Sequence, residues 1–265
     1  MSKINLDKYY TSSDLAKYCV LKTQMIIGID NITEYLEPSA GNGVFLDYLP
    51  SDTLVYDIEP EGEHIIKQDY LTLDLDYKKG RCVIGNPPYG SRNTMSVKFF
   101  KKSIQIADYI AFILPISQLD NNQQMYEFDL VYSENLGERF YSDRKILCCF
   151  NIYKRPINCE VNKKLNYKLQ YVEVIEYRRN GTYKKPIKYD FGMCAWGASL
   201  GKEVDFVGQY AQENYIIINN SRYRKQVLDI MLNTNWKDLY PYVATPKIQT
   251  WKIYKYIKEQ ISEIQ

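Results

Sequence analysis

Short apolar runs recur through the first half of the chain, separated by polar turns or by stretches of helical period. From Thr11 to Gly28 the period is helical. Leu15, Tyr18, Cys19, Met25 and Ile26 fall on one face, Thr11 and Asp14 have capping-box spacing, and Gly28 is a fitting stop. ITEYLEP and DTLVYDIEP predict strands, GVFLDYL the start of a helix, and HIIKQDYL a short strand or turn. RCVIGNPP predicts a strand, MSVKFFKKSIQIA a helix with Val97, Phe100, Ile104 and Ile106 inward, and DYIAFILP another strand. Strands alternating with helices predict an α/β architecture, a doubly wound and mostly parallel sheet. KILCCFNIYKRP is a further strand, closed by Pro156. Beyond it YKLQYVEVIEY, DFGMCAWG and NYIIIN predict strands with no helices between, followed by helices at RYRKQVLDIMLN and KIQTWKIYKYIKEQI. This change of rhythm predicts a sheet domain over residues 1–156 and a small α+β region over 157–265.

Composition sets limits on this picture. With 265 residues, 45% apolar and 25% charged, the chain can bury a substantial core and reads as an ordinary globular protein. No apolar run approaches the roughly 18 residues that span a bilayer, and MSKINLDKYYTSSD lacks the apolar segment of a secretory signal. The expectation is a cytoplasmic protein with no membrane partner. Cys19, Cys82, Cys148, Cys149, Cys159 and Cys194 form no CxxC pair, so reduced thiols are expected. The one histidine, His64, sits in the polar loop EPEGEHII, which excludes a histidine-rich metal site. No metal is expected, and any chemistry must run without a histidine base. The net charge of +2 hides an asymmetry: residues 1–150 carry 15 Lys and Arg against 21 Asp and Glu, while 151–265 carry 19 against 11. The stretch 151–188 holds ten basic and three acidic residues, interleaved with Tyr153, Tyr167, Tyr171, Tyr177 and Tyr183. A basic, tyrosine-rich back half suits a polyanion.

In an open parallel sheet, ligands bind beyond the carboxyl ends of the strands. Four such ends carry polar residues. EPSAGNGVF places Gly41 and Gly43 after the first strand, where backbone can approach a ligand closely. Asp57 or Glu59 in VYDIEP supplies a carboxylate suited to ribose hydroxyls. Asp69 in QDYL can accept from an adenine amino group, with Tyr70 to cover the ring. At the fourth end comes GNPPYG, stiffened by two prolines that fix φ and restrict the residues before them. An amine conjugated to an aromatic ring is a poor nucleophile because its lone pair is delocalised. Two rigid acceptors, the side-chain carbonyl of Asn86 and the main-chain carbonyl of Pro87, can hold its N–H groups and localise that pair on nitrogen. Tyr89 could stack on the ring.

EPSAGNGVF, YDIEP, QDYL and NPPYG, in that order, resemble the motifs of S-adenosylmethionine-dependent amino-methyltransferases. The upstream KYYTSSDLAKYC is similar to the cofactor-contacting segment of the gamma-class DNA adenine-N6 methyltransferases, and the likeness covers roughly residues 8–156. It implies a Rossmann-like methyltransferase fold, S-adenosylmethionine as cofactor, and transfer to the N6 amine of an adenine flipped out of DNA. It further implies that Thr11, Glu37, Ser39, Ala40 and Gly41 contact the methionine end of the cofactor and that Gly43 lets the chain approach. Asp57 would hold the ribose, Asp69 the adenine, and Pro88 would pack beside it. Asn86, Pro87 and Tyr89 would receive the target base, with Phe150 (or Tyr153) as the opposing ring. A restriction endonuclease is an implied partner, although about 110 residues is short for the recognition region of such a system. RNA adenine methylation, protein-glutamine methylation and a non-catalytic nucleic-acid-binding module remain alternatives.

Overall fold

A computed structural model describes residues 10–141, 144–158, 160–181, 186–239 and 246–264. Lys8, Tyr9, Cys159 and Tyr183 lie outside the described residues. The chain forms two compact units, Met1–Leu165 and Asn166–Gln265. The division falls at Leu165, not near Pro156, because the segment after Pro156 is tied to the first unit. Asn162 donates from its main chain to Glu127 O at 2.8 Å and from its side chain to Asp129 Oδ1 at 2.7 Å.

The first unit opens with helix α1 (Ser13–Ile27) and continues through β1 (Glu34–Glu37), β2 (Leu54–Asp57), β3 (Ile66–Lys67) and β4 (Arg81–Gly85). Helix α2 (Thr94–Ile106), β5 (Tyr109–Pro115), β6 (Asp129–Tyr141) and β7 (Arg144–Lys154) complete it. The strands form one sheet in the order β3-β2-β1-β4-β5-β7-β6. β1 to β5 pair in parallel, and β7 runs antiparallel to both β5 and β6. This is the expected doubly wound, mostly parallel, Rossmann-like sheet. Its middle strands are apolar on both faces, as strands covered on both sides must be. Tyr35, Cys82, Ile84, Ala111, Ile113 and Phe150 pack on the α1 face, while Leu36, Val83, Ile110, Phe112 and Cys149 pack on the α2 face.

Three expectations are corrected. GVFLDYL forms only a 3₁₀ turn, Leu46–Tyr48, because Pro50 follows too closely for a longer helix. α2 buries Phe99, with Phe100 and Ile106, while Val97 and Ile104 are only partly buried. β6 has no counterpart among the expected strands. It is interrupted by bulges at Leu130/Tyr132 and Asn135/Gly137, which break the two-residue alternation that marks a strand.

The second unit is a three-stranded antiparallel sheet in the order β8-β10-β9, from β8 (Val172–Arg178), β9 (Phe191–Cys194) and β10 (Gln212–Ile218). Helices α3 (Ser221–Asn233) and α4 (Thr250–Gln260) cover it, with Ile216, Val227, Trp236, Ile253 and Ile257 in the core between. The small α+β region expected behind the sheet domain is thus present. The five described cysteines are free thiols, all buried. Among the described residues no helix is long and apolar enough to cross a membrane.

Candidate active site

Residues from the carboxyl ends of β1, β2 and β4, and from the turn after β3, meet around one cavity of about 330 Å³ in the first unit. Its wall includes Thr11, Glu37, Ser39, Ala40, Gly41, Asp57, Asp69, Asn86 and Pro88, so nine residues named from the sequence lie together. Gly43 stands behind the wall: with φ +80°, a Cβ there would press on Leu46 and Ile65. Gly41 differs, since at φ +57° its missing Cβ would meet nothing within 4 Å. A ligand can therefore approach the loop backbone at Gly41 without obstruction.

The carboxylates are held in different ways. Asp57 is clamped by main-chain donors, Gly41 N to Oδ2 and Glu59 N to Oδ1, each at 2.7 Å. It thereby ties the glycine loop of β1 to the turn after β2. Asp69 caps the 3₁₀ turn Tyr70–Thr72 by accepting from Leu71 N at 2.9 Å. Glu37 is the outlier. Only 1% exposed, it lines the cavity, and its Oε2 has no hydrogen-bond partner among the described residues. Burial, with the Asp57 charge adding to it, pushes its carboxyl up to about 8. An unpaired buried carboxyl on a cavity wall is a receptor waiting for a donor or a cation.

Aromatic side chains also line the cavity. Tyr70 and Phe99 line the cavity with ring centres 5.2 Å apart, and Tyr70 is anchored by its hydroxyl to Ser103 Oγ at 2.8 Å. Phe99 escaped the sequence reading. Met95, four residues earlier on the same helix and also in the wall, was the signal that could have found it.

At the NPPY corner, hydrogen bonds secure the main chain. Ser96 Oγ donates to Pro88 O at 3.1 Å, Met95 N to Tyr89 O at 3.1 Å, and Ser39 Oγ to Asn86 O at 3.4 Å. Pro87, expected to receive the target base, is buried and is not part of the cavity wall, and among the described residues nothing donates to its O. Asn86 Nδ2 donates to Thr11 Oγ1 at 3.2 Å. Thr11 therefore does not close the expected capping box: Ser12 is the N-cap of α1, with no side-chain cap bond.

The aromatic partners lie elsewhere. Tyr89 is 5% exposed, packed in the core on the α1 face with its hydroxyl 3.4 Å from Cys148 Sγ, and it is not part of the cavity wall. Phe150, expected as an opposing ring, is a wholly buried core residue at 0% exposure. Tyr153 is buried on the other face, edge-on to Phe100. β7 lies between β5 and β6 with both faces covered, so neither ring is open to a ligand. His64 is exposed and outside the cavity wall. Among the described residues no group of three or more His, Cys, Asp or Glu is placed to hold a metal ion.

No protein-family model and no curated protein sequence matches the chain. Among solved structures, a protein from Pyrococcus horikoshii proposed to be an RNA methyltransferase is similar at 14% identity and a TM-score of 0.46, over 58% of this chain and 89% of that one. The 23S rRNA methyltransferase ErmE is similar at 11% identity and 0.41, over 57% and 70%. Magnesium protoporphyrin IX methyltransferase from Synechocystis PCC 6803, solved with bound S-adenosylmethionine, is similar at 10% identity and 0.38, over 52% and 79%.

Proposed function

We propose that the first unit binds S-adenosylmethionine in its cavity and transfers the methyl group to the N6 amine of an adenine in DNA. One observation carries this reading: Asn86 of the NPPY corner lines the same cavity as Glu37, a buried carboxyl whose Oε2 has no partner among the described residues, on a wall open at Gly41. The residues fit the cofactor. Glu37 suits the ammonium of its methionine end, Asp57 its ribose hydroxyls, and Asp69 its adenine amine, with Tyr70 and Phe99 offering apolar ring surface to the purine.

When bound, the cofactor would supply a methyl carbon on positive sulfur, which the amine's lone pair would take up as a new N–C bond while the C–S pair returned to sulfur. Asn86 Oδ1 and Pro87 O hold the two N–H groups, which keeps the lone pair on nitrogen and out of the ring. As that nitrogen gains positive charge, one held proton becomes acidic and leaves past its carbonyl to solvent. No histidine is needed. Offering the Tyr89 ring to the base requires it to leave its core packing, so the acceptors carry the reading and the ring does not. An adenine inside a duplex is out of reach, and extruding it costs a few kcal/mol. Basic residues in the back half would offset this by contacts to phosphates.

The charge asymmetry favours a nucleic acid over a protein amide, and the likeness of the KYYTSSDLAKYC segment favours DNA over RNA. The test is incubation with methyl-labelled S-adenosylmethionine and separate DNA, RNA and protein pools, followed by nucleoside mass spectrometry. N6-methyladenine in DNA is expected. Label confined to RNA would move the reading to an RNA adenine methyltransferase, and label in none of the pools would end it. Asn86→Ala should lower transfer by about a hundredfold or more while the cofactor still binds.

A further inference from the structure

The turn that leaves the NPPY corner carries a positive charge with no use inside the chain. Arg92 is exposed, and among the described residues it makes no ion pair, hydrogen bond or ring contact. Its backbone is left-handed, with φ 53° and ψ 34°. That conformation strains every residue type except glycine, with asparagine and aspartate strained least. The sequence nevertheless keeps a long cation there, and strain of this kind gathers at binding sites. We propose that Arg92 grips a backbone phosphate of the DNA substrate and so fixes the position of the target nucleotide beside the NPPY corner.

Three features support this. The turn is tied to the corner: Met95 N donates to Tyr89 O and Ser96 Oγ to Pro88 O, each at 3.1 Å, and Asn93 N to Gly90 O at 3.3 Å. Pro88, before the turn, and Met95, after it, both line the cavity, and Arg92 itself does not. A phosphate held by Arg92 is therefore registered against Asn86 through hydrogen-bonded backbone, and the cofactor inside the cavity is not the partner. Charge points the same way. Residues 91–106 hold Arg92, Lys98, Lys101 and Lys102 with no acidic residue, whereas the rest of 1–150 holds 11 basic against 21 acidic. Lys101 is paired with Glu127, while Arg92, Lys98 and Lys102 have no acidic partner among the described residues. An otherwise acidic unit thus carries free positive charge on the segment that follows the corner, where a polyanion has to approach. The last feature is chemical. A guanidinium offers a planar fork of donors that meets two phosphate oxygens at once. Phosphate contacts fix orientation and register without reading sequence, and an extruded base needs its flanking backbone held in that way.

The inference rests on the methyl-transfer reading for its partner, and the experiment separates the two. Arg92→Gln removes the charge, Arg92→Lys keeps it without the fork, and Arg92→Gly relieves the backbone. Binding of the full chain to a fluorescein-labelled DNA duplex is followed by anisotropy over a salt series, beside transfer kinetics on DNA. Arg92→Gln is expected to weaken duplex binding about tenfold at low salt and to lower the slope of log affinity against log salt by about 0.9. It should raise KM for DNA more than it lowers kcat, with the cofactor Kd within about threefold of wild type. Arg92→Lys should restore the slope and part of the affinity. Arg92→Gly should bind DNA as poorly as Arg92→Gln while unfolding at no lower urea than wild type, which rules out damage to the fold. An unchanged slope and KM in Arg92→Gln overturn the contact and leave the function standing. A weakened cofactor Kd with an unchanged slope also overturns it, because the partner is then the cofactor. If wild type methylates no pool yet Arg92→Gln lowers the slope, the function falls and the phosphate contact stands.

Discussion

Glu37 shows most plainly how the fold changes a residue's chemistry. From an ordinary value of 4.5 its carboxyl is raised to about 8, first by burial and then by the Asp57 charge. A raised acid favours the protonated folded state. Its contribution to stability is whole below about pH 4.5 and is lost as pH rises through about 8. The melting temperature of the cofactor-free protein should therefore decline between pH 5 and 9 more steeply in wild type than in Glu37→Gln; parallel curves would refute the assignment. Binding a cation should reverse the shift and release a proton near neutral pH. That release appears as a dependence of the calorimetric binding heat on the ionisation heat of the buffer. Glu37 could be named from the EPSAGNGVF pattern, but its missing partner could not. Which buried oxygens find a donor depends on neighbours distant in sequence.

At the scale of elements, the turn from NPPY into α2 is unusual. Gly90, Arg92 and Asn93 have φ of +65°, +53° and +64°, and neither polar atom of the buried Asn93 side chain has a partner among the described residues. Left-handed backbone at a non-glycine residue costs on the order of 1 kcal/mol. Asn93→Gly should thus stabilise the fold by about 1 kcal/mol in urea unfolding, because glycine accepts that φ freely and the unpaired amide is removed. Strand and helix positions along β1, β2, β4, α2 and β5 were legible because their periods are regular. β6 was not, since its two bulges shift the register twice and break the alternation that marks a strand. The helix expected at GVFLDYL failed for a local reason, the nearness of Pro50.

For the molecule as a whole, charge is the property that bears on a partner. Lys163, Lys164 and Lys168 are exposed, in the stretch where basic residues outnumber acidic ones. If this stretch meets phosphates, replacing all three by Gln should weaken DNA binding at low salt. The slope of log affinity against log salt should fall by up to about 0.9 for each lysine–phosphate pair removed. Fluorescence anisotropy over a salt series would check this, with the cofactor Kd unchanged. An unaltered slope would remove these lysines from the interface.

Local order in the chain determined the alternation of strands and helices, the placing of polar motifs at strand ends, and the stiff corner that can hold an amine. These are short-range matters of period, proline geometry and side-chain chemistry. Tertiary structure alone decided that four strand ends share one cavity, that Phe99 joins its wall, and that Tyr89 and Phe150 are buried in the core. It also decided that the Thr11 hydroxyl accepts from Asn86 Nδ2 and that Ser12 is the N-cap of α1. Each of those outcomes depends on which distant side chain fills the space beside a residue, and close packing across a sheet settles that.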